Sequence, residues 1–273
     1  MIDIFAKPLG ILLKFVYDLC SKAGLDGDYM SAYAMSIIIT TIIFKLIILP
    51  LTLKQTKSME NMQVIQPKLQ QIQKKYKNDP QKLNEETMKL YKEYSINPFG
   101  GCLPLLIQFP ILLAYIRVVR DPVKYVFGSE KLFDSIHKGF LWIIDISKTP
   151  TAVIGNQTND LEIAGVVIPV IAILSAVTTF IYSKYSMSQQ NVPKDSSNPA
   201  QGTQKAMVYT MPIMFLFFGY TYPVGFTIYW TVSNVFSIVQ QVIIRKSAKK
   251  NIDEIPAKVE ESGKGNKSGK KKK

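Results

Sequence analysis

The sequence predicts an all-α integral membrane protein with five transmembrane helices, a cytoplasmic helical hairpin and an N-terminal amphipathic helix. The first observation is composition: 47% of the 273 residues are apolar and only 19% are charged, although the chain ends in a lysine-rich tail. The second is that apolar runs about as long as a membrane span alternate with polar segments. The third is that Lys and Arg residues collect in alternate polar segments.

Residues 33–53 are predicted to form the first span, because they approach the roughly 20 apolar residues that a spanning helix needs. The other spans are predicted at 102–119, 163–182, 207–220 and 224–244. A Gly/Tyr/Pro cluster at 219–223 separates the last two, and such a cluster is typical of a turn at a membrane interface. The second and fourth spans are short, so we expect helix tilt or local bilayer thinning around them.

Residues 1–32 are predicted to form an amphipathic helix on the outer surface, followed by a lead-in to the first span. The apolar positions of the helix fall roughly on one face: Leu9, Leu12, Leu13, Val16, Tyr17 and Leu19. An uncleaved, weak membrane anchor is the alternative interpretation of this segment.

Residues 54–98 are polar but periodic, which predicts a cytoplasmic helical hairpin with an apolar seam. The seam comprises Met62, Ile65, Leu69, Ile72 and Tyr76, then Leu83, Thr87, Leu90 and Tyr94. Asn78-Asp79-Pro80 marks the turn, with Pro80 placed to open the second helix. Lysines cover the outer face, and either water or anionic headgroups and partners would suit them.

The remaining polar segments have simpler interpretations. Residues 120–162 are predicted to be an extracytoplasmic loop that is partly helical, and 183–206 a cytoplasmic connector. Residues 245–273 are rich in Lys, Gly and Ser, which predicts a basic disordered tail.

Orientation follows from the distribution of positive charge. Segments 54–98, 184–205 and 245–273 carry 23 of the 33 Lys and Arg residues, whereas 1–32 and 117–162 carry nine. Because cytoplasmic segments are enriched in Lys and Arg, this bias predicts an outer amino terminus and a cytoplasmic carboxyl terminus.

Lys45 is the most informative residue, because it lies deep within the first predicted span. A lysine at mid-bilayer costs about 2.5–3.5 kcal/mol on insertion scales, so it normally faces water or a partner. None of the five predicted spans contains Asp or Glu. Lys45 is too far from the inner boundary for easy snorkelling, which favours a hydrated groove.

Polar side chains in other spans are candidates for lining this groove. Thr41 lies one helical turn before Lys45, on the same face. The other candidates derived from residue type and position are Gln108, Thr178, Tyr229 and Asn234. Individually, such residues also commonly bond to neighbouring helices or to their own backbone. The set together with an unpaired lysine favours a polar groove that attracts acidic or polar chain segments.

Several segments carry a resemblance to a known family: Lys45-Leu46-Ile47-Ile48-Leu49-Pro50-Leu51-Thr52, Gln66-Pro67-Lys68, Asn97-Pro98-Phe99-Gly100-Gly101-Cys102-Leu103-Pro104 and Tyr229-Trp230-Thr231-Val232-Ser233-Asn234. Over roughly residues 8–245, the chain resembles the YidC family of membrane-protein insertases. The block 97–104 is its most specific part. The chain is similar to the short type, which has no large extracytoplasmic domain.

The resemblance implies a five-span core and a hydrophilic groove open to the cytoplasm and to lipid. It also implies insertion of small or single-span membrane proteins, alone or with the Sec translocon, and ribosome contact through the basic tail. Lys45 matches the groove cation, which is usually arginine in the family, and lysine lacks its planar bidentate fork. Thr41, Gln108 and Trp230 match groove-facing positions, and Tyr229 is a further candidate.

We therefore expect a plasma-membrane insertase that acts as a monomer in contact with anionic lipids and is not an enzyme. No cofactor or metal site is predicted, since the chain has one histidine and two cysteines. The alternative is a small-anion channel or transporter that uses Lys45 as its binding charge. An intramembrane hydrolase is disfavoured because His137 lies in the predicted outer loop. A further alternative is a structural scaffold that only binds ribosomes through the basic tail.

Overall fold

In a computed structural model the chain is mostly helical. The structure describes residues 2–94, 103–188 and 199–253. Its helices are α1 (Asp3–Lys22), α2 (Ala32–Lys75), α3 (Pro80–Glu93), α4 (Leu103–Arg120), a π-helix (Val123–Phe127), α5 (Glu130–Ser135), α6 (Val170–Ser188), α7 (Pro199–Thr221) and α8 (Val224–Asp253). Two small antiparallel hairpins pair β1 (Val153–Ile154) with β2 (Gln157–Thr158) and β3 (Leu161–Ile163) with β4 (Val166–Ile168). The helical content agrees with the predicted all-α class.

The helices present apolar stretches of two lengths. Within the described residues, Ala32–Gln55 and Val224–Ile244 are long and apolar enough to cross a membrane, with 24 and 21 residues. Val170–Ser186 and Val208–Thr221 are shorter apolar stretches. At 1.5 Å per residue the shorter stretches are about 26 and 21 Å long, against a hydrocarbon core of about 30 Å. Long and short apolar helices therefore occur in one bundle.

Helix α2 continues without interruption from the first predicted span into the predicted hairpin, over 44 residues. Ser31 caps its amino terminus, because the Ser31 side chain accepts a hydrogen bond from the Ala34 backbone N–H at 3.0 Å. Pro50 and Pro67 lie inside the helix. At the predicted boundary at residue 54 the helix surface changes from apolar to polar, but the helix itself continues. Hydropathy marks where the apolar surface ends and not where the helix ends.

The carboxyl-terminal part of α2 packs against α3 as a helical hairpin. The Asp79 side chain accepts a hydrogen bond from the Lys82 backbone N–H at 3.1 Å, and Pro80 occupies the first turn of α3. The two helices share a small core of their own, formed by Ile65, Leu69 and Leu90 with Ile72, Tyr91 and Tyr94 packed around them. The predicted hairpin residues 95–98 lie outside the described part of the chain.

The helix of the third predicted span begins later than the sequence predicts. Residues 161–168, which overlap the predicted span 163–182, form the β3–β4 hairpin, and α6 starts only at Val170. Ala164 and Gly165 have φ angles of 53° and 78°, the left-handed conformation that turns a two-residue hairpin. The apolar run misled the prediction, since hydropathy alone does not distinguish a strand from the start of a helix.

Two further boundaries, both in segments predicted to be cytoplasmic, differ from the prediction. Helix α7 starts at Pro199, inside the predicted connector 183–206, of which residues 189–198 are outside the described part. Helix α8 continues to Asp253, so the disorder predicted from residue 245 is wrong for 245–253. Both differences have one cause: the flanking residues are polar but continue the helical hydrogen bonding of the apolar segment beside them. The remaining tail, 254–273, lies outside the described residues.

Helix α1 packs one face into the main core, beside α2, α4 and the π-helix. Its buried residues are Ala6, Leu9, Gly10, Leu13, Val16, Tyr17 and Cys20. The opposite face exposes Ile4, Phe5, Ile11, Phe15 and Leu19. Leu19 therefore does not lie on the predicted common face with Leu9 and Leu13, because it points away from the core. The helix is apolar on two faces, one of which the protein covers.

Glycines allow two close helix contacts. At Gly10, an added Cβ would lie 2.1 Å from the Tyr125 carbonyl oxygen, so only glycine lets α1 approach the π-helix this closely. The Tyr125 hydroxyl donates to the Asp3 carboxylate at 2.5 Å and holds the start of α1 to the same segment. At Gly219, an added Cβ would lie 2.5 Å from Ala172 Cβ. The missing side chain therefore lets α7 approach α6 closely.

The segment between α5 and α6 caps the amino-terminal end of α8. The Val224 backbone N–H donates to Lys148 O at 2.9 Å, and the Gly225 N–H donates to Ile146 O at 2.7 Å. These contacts satisfy two of the N–H groups that every helix leaves free at its start. The buried Asn159 side chain orders the segment by accepting from the Asp145 N–H and donating to Asp145 O, both at 2.8 Å.

We predict that Gly10→Ala destabilises the protein by about 1–3 kcal/mol, because the new methyl group forces α1 away from Tyr125. At an open helix position the same change would instead stabilise by about 0.5–1 kcal/mol. Thermal unfolding in detergent measures the effect. Gly27→Ala is the matched control, since nothing lies within 4 Å of an added Cβ there. A Gly10→Ala melting temperature at or above that of wild type would contradict the close packing.

Candidate functional site

Lys45 is half-buried on α2 and faces α4 and α8. Its Nζ donates to Ser237 Oγ of α8 at 3.1 Å and to Gln108 Oε1 of α4 at 3.5 Å. Ser237 Oγ donates in turn to Ser233 O at 2.8 Å, which leaves the oxygen lone pairs of Ser237 for Lys45. The lysine thus joins three helices through neutral oxygen atoms.

Two stacked tyrosines lie beside this lysine. The rings of Tyr115 and Tyr229 are 3.7 Å apart between centroids and 12° from parallel. Gln108 Nε2 donates to the Tyr229 hydroxyl at 2.7 Å, so the same amide contacts both Lys45 and Tyr229. The stack is fully buried and forms one wall of the site.

Thr41 extends the hydrogen-bond chain to the far side of the stack. Its hydroxyl donates to Ile37 O at 2.6 Å and lies 3.1 Å from the Tyr115 hydroxyl. Because a hydroxyl has one proton, Tyr115 donates to Thr41 in this pair. The four predicted residues Thr41, Lys45, Gln108 and Tyr229 therefore belong to one connected cluster.

A narrow recess that opens to the surroundings lies within the cluster. It is lined by Thr41, Phe44, Lys45, Ile48, Gln108, Ile111, Tyr115 and Tyr229. Within the described residues, no carboxylate lies within 4.0 Å of the Lys45 ammonium. The recess therefore presents a positive charge, neutral hydrogen-bonding groups and apolar walls, a combination suited to a polar or acidic chain segment.

The structure places the other three predicted site residues in a second cluster. Trp230 Nε1 donates to Thr179 Oγ1 at 2.9 Å, and Asn234 Nδ2 donates to the same oxygen at 2.8 Å. Asn234 Nδ2 also lies 3.4 Å from Thr178 Oγ1, and Trp230 stacks on Phe215 at 3.7 Å. These buried groups satisfy one another between α6 and α8, so Thr178, Trp230 and Asn234 do not line the recess.

The sequence prediction missed two residues of the first cluster. Ser237 is the closest partner of Lys45, and Tyr115 forms half of the aromatic stack. One signal for Ser237 was present in the sequence, because Tyr229, Ser233 and Ser237 recur every four residues and share a helix face. Tyr115 had no such signal, since a tyrosine within an apolar run is ordinary core composition.

Polar contacts continue along α2 and α8 beyond Ser237. Gln240 Nε2 donates to Thr52 Oγ1 at 2.8 Å. Gln55, one turn further along α2, is buried at 4% exposure, and neither polar atom of its amide has a hydrogen-bond partner within the described residues. Beyond Lys45, the facing surfaces of these two helices are therefore partly polar and incompletely hydrogen-bonded.

In the part of the chain that the structure describes, no three His, Cys, Asp or Glu side chains come together as a metal site would require. The polar groups of the recess are an ammonium, an amide and hydroxyls, and these suit hydrogen bonding to a chain rather than metal coordination.

The sequence profile of the family described as 60Kd inner membrane protein matches residues 25–251. A protein of Wolinella succinogenes is 36% identical over 246 residues, which are 90% of this chain and 38% of that protein. A protein of Fusobacterium nucleatum is 35% identical over 239 residues, covering 86% of this chain and 98% of the relative. A protein of Clostridium tetani is 37% identical over 220 residues, or 81% and 84% of the two chains.

All three relatives carry the name membrane protein insertase YidC. The chain spans less than two fifths of the length of the Wolinella protein and of a protein from Syntrophobacter fumaroxidans, at 38% of each. It spans nearly the whole Fusobacterium protein. The matched region contains all seven predicted site residues.

We predict that the two polar clusters are energetically separate. Thr179→Val and Asn234→Leu remove two ends of one hydrogen bond, so their effects on the free energy of unfolding should be non-additive by about 0.6 kcal/mol. Gln108→Leu and Asn234→Leu lie in different clusters and should be additive. Double-mutant cycles of unfolding in mixed micelles measure both couplings. Coupling of Gln108 to Asn234 as large as that of Thr179 to Asn234 would contradict the separation.

Proposed function

The chain belongs to the 60Kd inner membrane protein family, the family of the YidC insertases, and we propose that it inserts membrane proteins and helps them to fold. The proposed substrates are small or single-span proteins, taken alone or with the Sec translocon. The observation that carries the proposal is the half-buried Lys45, held by neutral partners at a recess between α2, α4 and α8.

The proposed task of the recess is to lower the desolvation cost of a polar flank. Moving an unpaired polar group from water into an apolar medium costs several kcal/mol, which a lipid bilayer alone does not offset. Gln108 and Ser237 offer hydrogen-bonding atoms in place of water, and the Lys45 charge favours acidic flanks. The apolar part of the substrate stays in lipid, along α6 and α8, and is released sideways.

Two further effects assist movement of the flank outward. The short apolar stretches of α6 and α7, about 26 and 21 Å, favour a locally thinner bilayer and a shorter path. The membrane potential contributes about 2.3 kcal/mol per charge per 100 mV to the outward transfer of an acidic flank. No chemical step is involved, so the protein is proposed to be an insertase without cofactor and not an enzyme.

The proposed topology has five spans in the bacterial plasma membrane, with the amino terminus outside and the carboxyl terminus in the cytoplasm. The Lys and Arg bias of 23 to nine supports this orientation. It places α1 on the outer surface and the α2–α3 hairpin in the cytoplasm, where the hairpin receives substrate and its lysines meet anionic lipid headgroups. The protein is proposed to act as a monomer.

The proposed ribosome contact uses the carboxyl-terminal tail. Residues 245–273 carry eleven Lys and Arg residues, the densest positive charge in the chain. Ribosomal RNA presents a phosphate backbone that attracts such segments in a salt-dependent way. The tail would therefore bring nascent substrates close to the cytoplasmic hairpin.

We expect Lys45→Gln to slow insertion of a single-span substrate with an acidic outer tail by about tenfold, equivalent to about 1.4 kcal/mol. Lys45→Arg should retain insertion because it keeps the positive charge. Protease protection of the substrate in proteoliposomes that contain only this protein measures the rate. Lys54→Gln is the matched control, since it removes the same charge from an exposed position on α2.

Equal insertion by wild type, Lys45→Gln and Lys54→Gln would show that the Lys45 charge does not drive the process. The same proteoliposomes serve to test the channel alternative with a chloride-flux assay. Insertion without anion flux is the expected result, and flux that depends on Lys45 without insertion would favour the channel.

Removal of residues 254–273, which contain seven lysines, should weaken co-sedimentation with ribosomes by about tenfold or more at moderate salt. A variant with these lysines changed to arginine should bind as wild type does, because the charge is kept. Insertion of a ribosome-free substrate should be unchanged by the truncation. Ribosome binding that is unaffected by the truncation would place the contact elsewhere.

A further inference from the structure

The β3–β4 hairpin has an apolar face that the protein leaves uncovered. Its register pairs Leu161 with Ile168 and Ile163 with Val166, so these four side chains lie on one face. Leu161, Ile163 and Val166 are 44%, 60% and 63% exposed. A two-stranded hairpin is marginal in water by itself, and exposure of its apolar face adds to that difficulty.

The opposite face of the hairpin carries Glu162 and its cross-strand partner Val167. Glu162 lies between Leu161 and Ile163 in β3 and therefore points to the opposite face. Its carboxylate accepts a hydrogen bond from Thr158 Oγ1 of β2 at 3.1 Å. Glu162 is itself exposed, so the hairpin presents a charged side chain on one face and four apolar side chains on the other.

The base of the hairpin is held in place. Asp160 Oδ1 accepts from the Trp142 Nε1–H at 2.7 Å and from the Leu161 backbone N–H at 2.8 Å. Asp160 is itself buried at 5% exposure. The base of the hairpin is therefore fixed to the preceding loop.

The hairpin leads directly into α6, and the apolar surface continues across the junction. Only Pro169 separates β4 from α6, whose Ile173, Leu174 and Val177 are 43–47% exposed. The apolar stretch of α6 is 17 residues, about 26 Å, and falls some 4 Å short of a hydrocarbon core of about 30 Å. Three-residue strands about 10 Å long add apolar surface directly before the amino-terminal end of α6.

We propose that the β3–β4 hairpin rests with its apolar face in the outer leaflet, at the boundary between lipid headgroups and acyl chains. This placement rests on the proposed membrane span of α6. The strand edges carry backbone N–H and C=O groups that need water, which limits the hairpin to the boundary and keeps it out of the hydrocarbon centre. The hairpin then fixes the depth of α6, and α7 follows through the close contact at Gly219 and Ala172.

The test uses single cysteines on the full chain, with Cys20 and Cys102 changed to alanine. The variant Ile163→Cys or Val166→Cys is labelled with the fluorophore NBD and placed in liposomes of phosphatidylcholine doped with lipids spin-labelled at acyl carbon 5 or 12. Glu162→Cys is the matched control on the opposite face of the same strand. Val177→Cys, on the exposed face of α6, reports whether that helix spans the bilayer.

We expect the labels at 163 and 166 to be quenched at least twofold more than the label at 162, and more by the carbon-5 than by the carbon-12 lipid. Equal quenching at 162 and 163, or quenching at 163 by aqueous iodide alone, would overturn the proposal. A disulfide that joins two copies of the unlabelled Ile163→Cys variant would also overturn it, because it would show a second copy on this face.

If the label at 177 is not quenched by either lipid, the proposed span of α6 fails and the hairpin placement fails with it. Quenching at 177 without quenching at 163 and 166 would overturn the hairpin placement alone. Because none of these readouts measures insertion, they are independent of the test of Lys45.

Discussion

The contact of Lys45 with Ser237 and Gln108 is the constraint on which the arrangement of the central helices depends. An ammonium group within an apolar helix needs hydrogen-bond acceptors, and no carboxylate of the described residues lies within 4.0 Å of the Lys45 ammonium. Neutral oxygens from α4 and α8 meet this need without cancelling the charge. A carboxylate beside the lysine would have cancelled much of its charge, whereas the neutral partners leave a positive field available.

Helix α8 carries residues of the Lys45 site on one face and residues that contact α6 on another face. Tyr229 and Ser237 face α2 and α4, whereas Trp230 and Asn234 face α6. Residues one position apart on a helix point about 100° from each other, so one helix presents two polar faces with different roles. Trp230 and Asn234 are buried and hydrogen-bonded, which suits a rigid contact between helices. The face that carries Tyr229 and Ser237 retains a recess.

The bundle also combines long and short apolar helices. The α2 and α8 stretches are long enough to cross a bilayer, while α6 and α7 have apolar stretches of 17 and 14 residues. Helices α6 and α7 approach each other closely at Gly219, where a side chain would collide with Ala172. At the amino-terminal end of α8, backbone carbonyls at Ile146 and Lys148 satisfy the first turn of the helix. The loop between α5 and α6 is thus packed against the helical bundle and hydrogen-bonded to it.

Much of the fold followed from local patterns. The apolar runs located α2, α4, α6, α7 and α8, and the Asp79-Pro80 signal located the start of α3. Lys45 stood out because a charge in an apolar run is costly wherever the chain folds. Its neighbour Thr41 and the partners Gln108 and Tyr229 were identified from polarity, although polarity also selected Thr178 and Asn234, which belong to the contact between α6 and α8.

The sequence by itself determined which segments are apolar, which are basic and where an unpaired charge lies, because these properties belong to each residue and its neighbours. Only the tertiary structure decided which groups meet. Ser237 is 192 positions from Lys45, and the Tyr115–Tyr229 stack joins residues from two helices. The tertiary structure also decided that the start of one apolar run, predicted as part of a span, forms the β3–β4 hairpin. Packing between distant segments selects these partners, and local hydropathy carries no information about it.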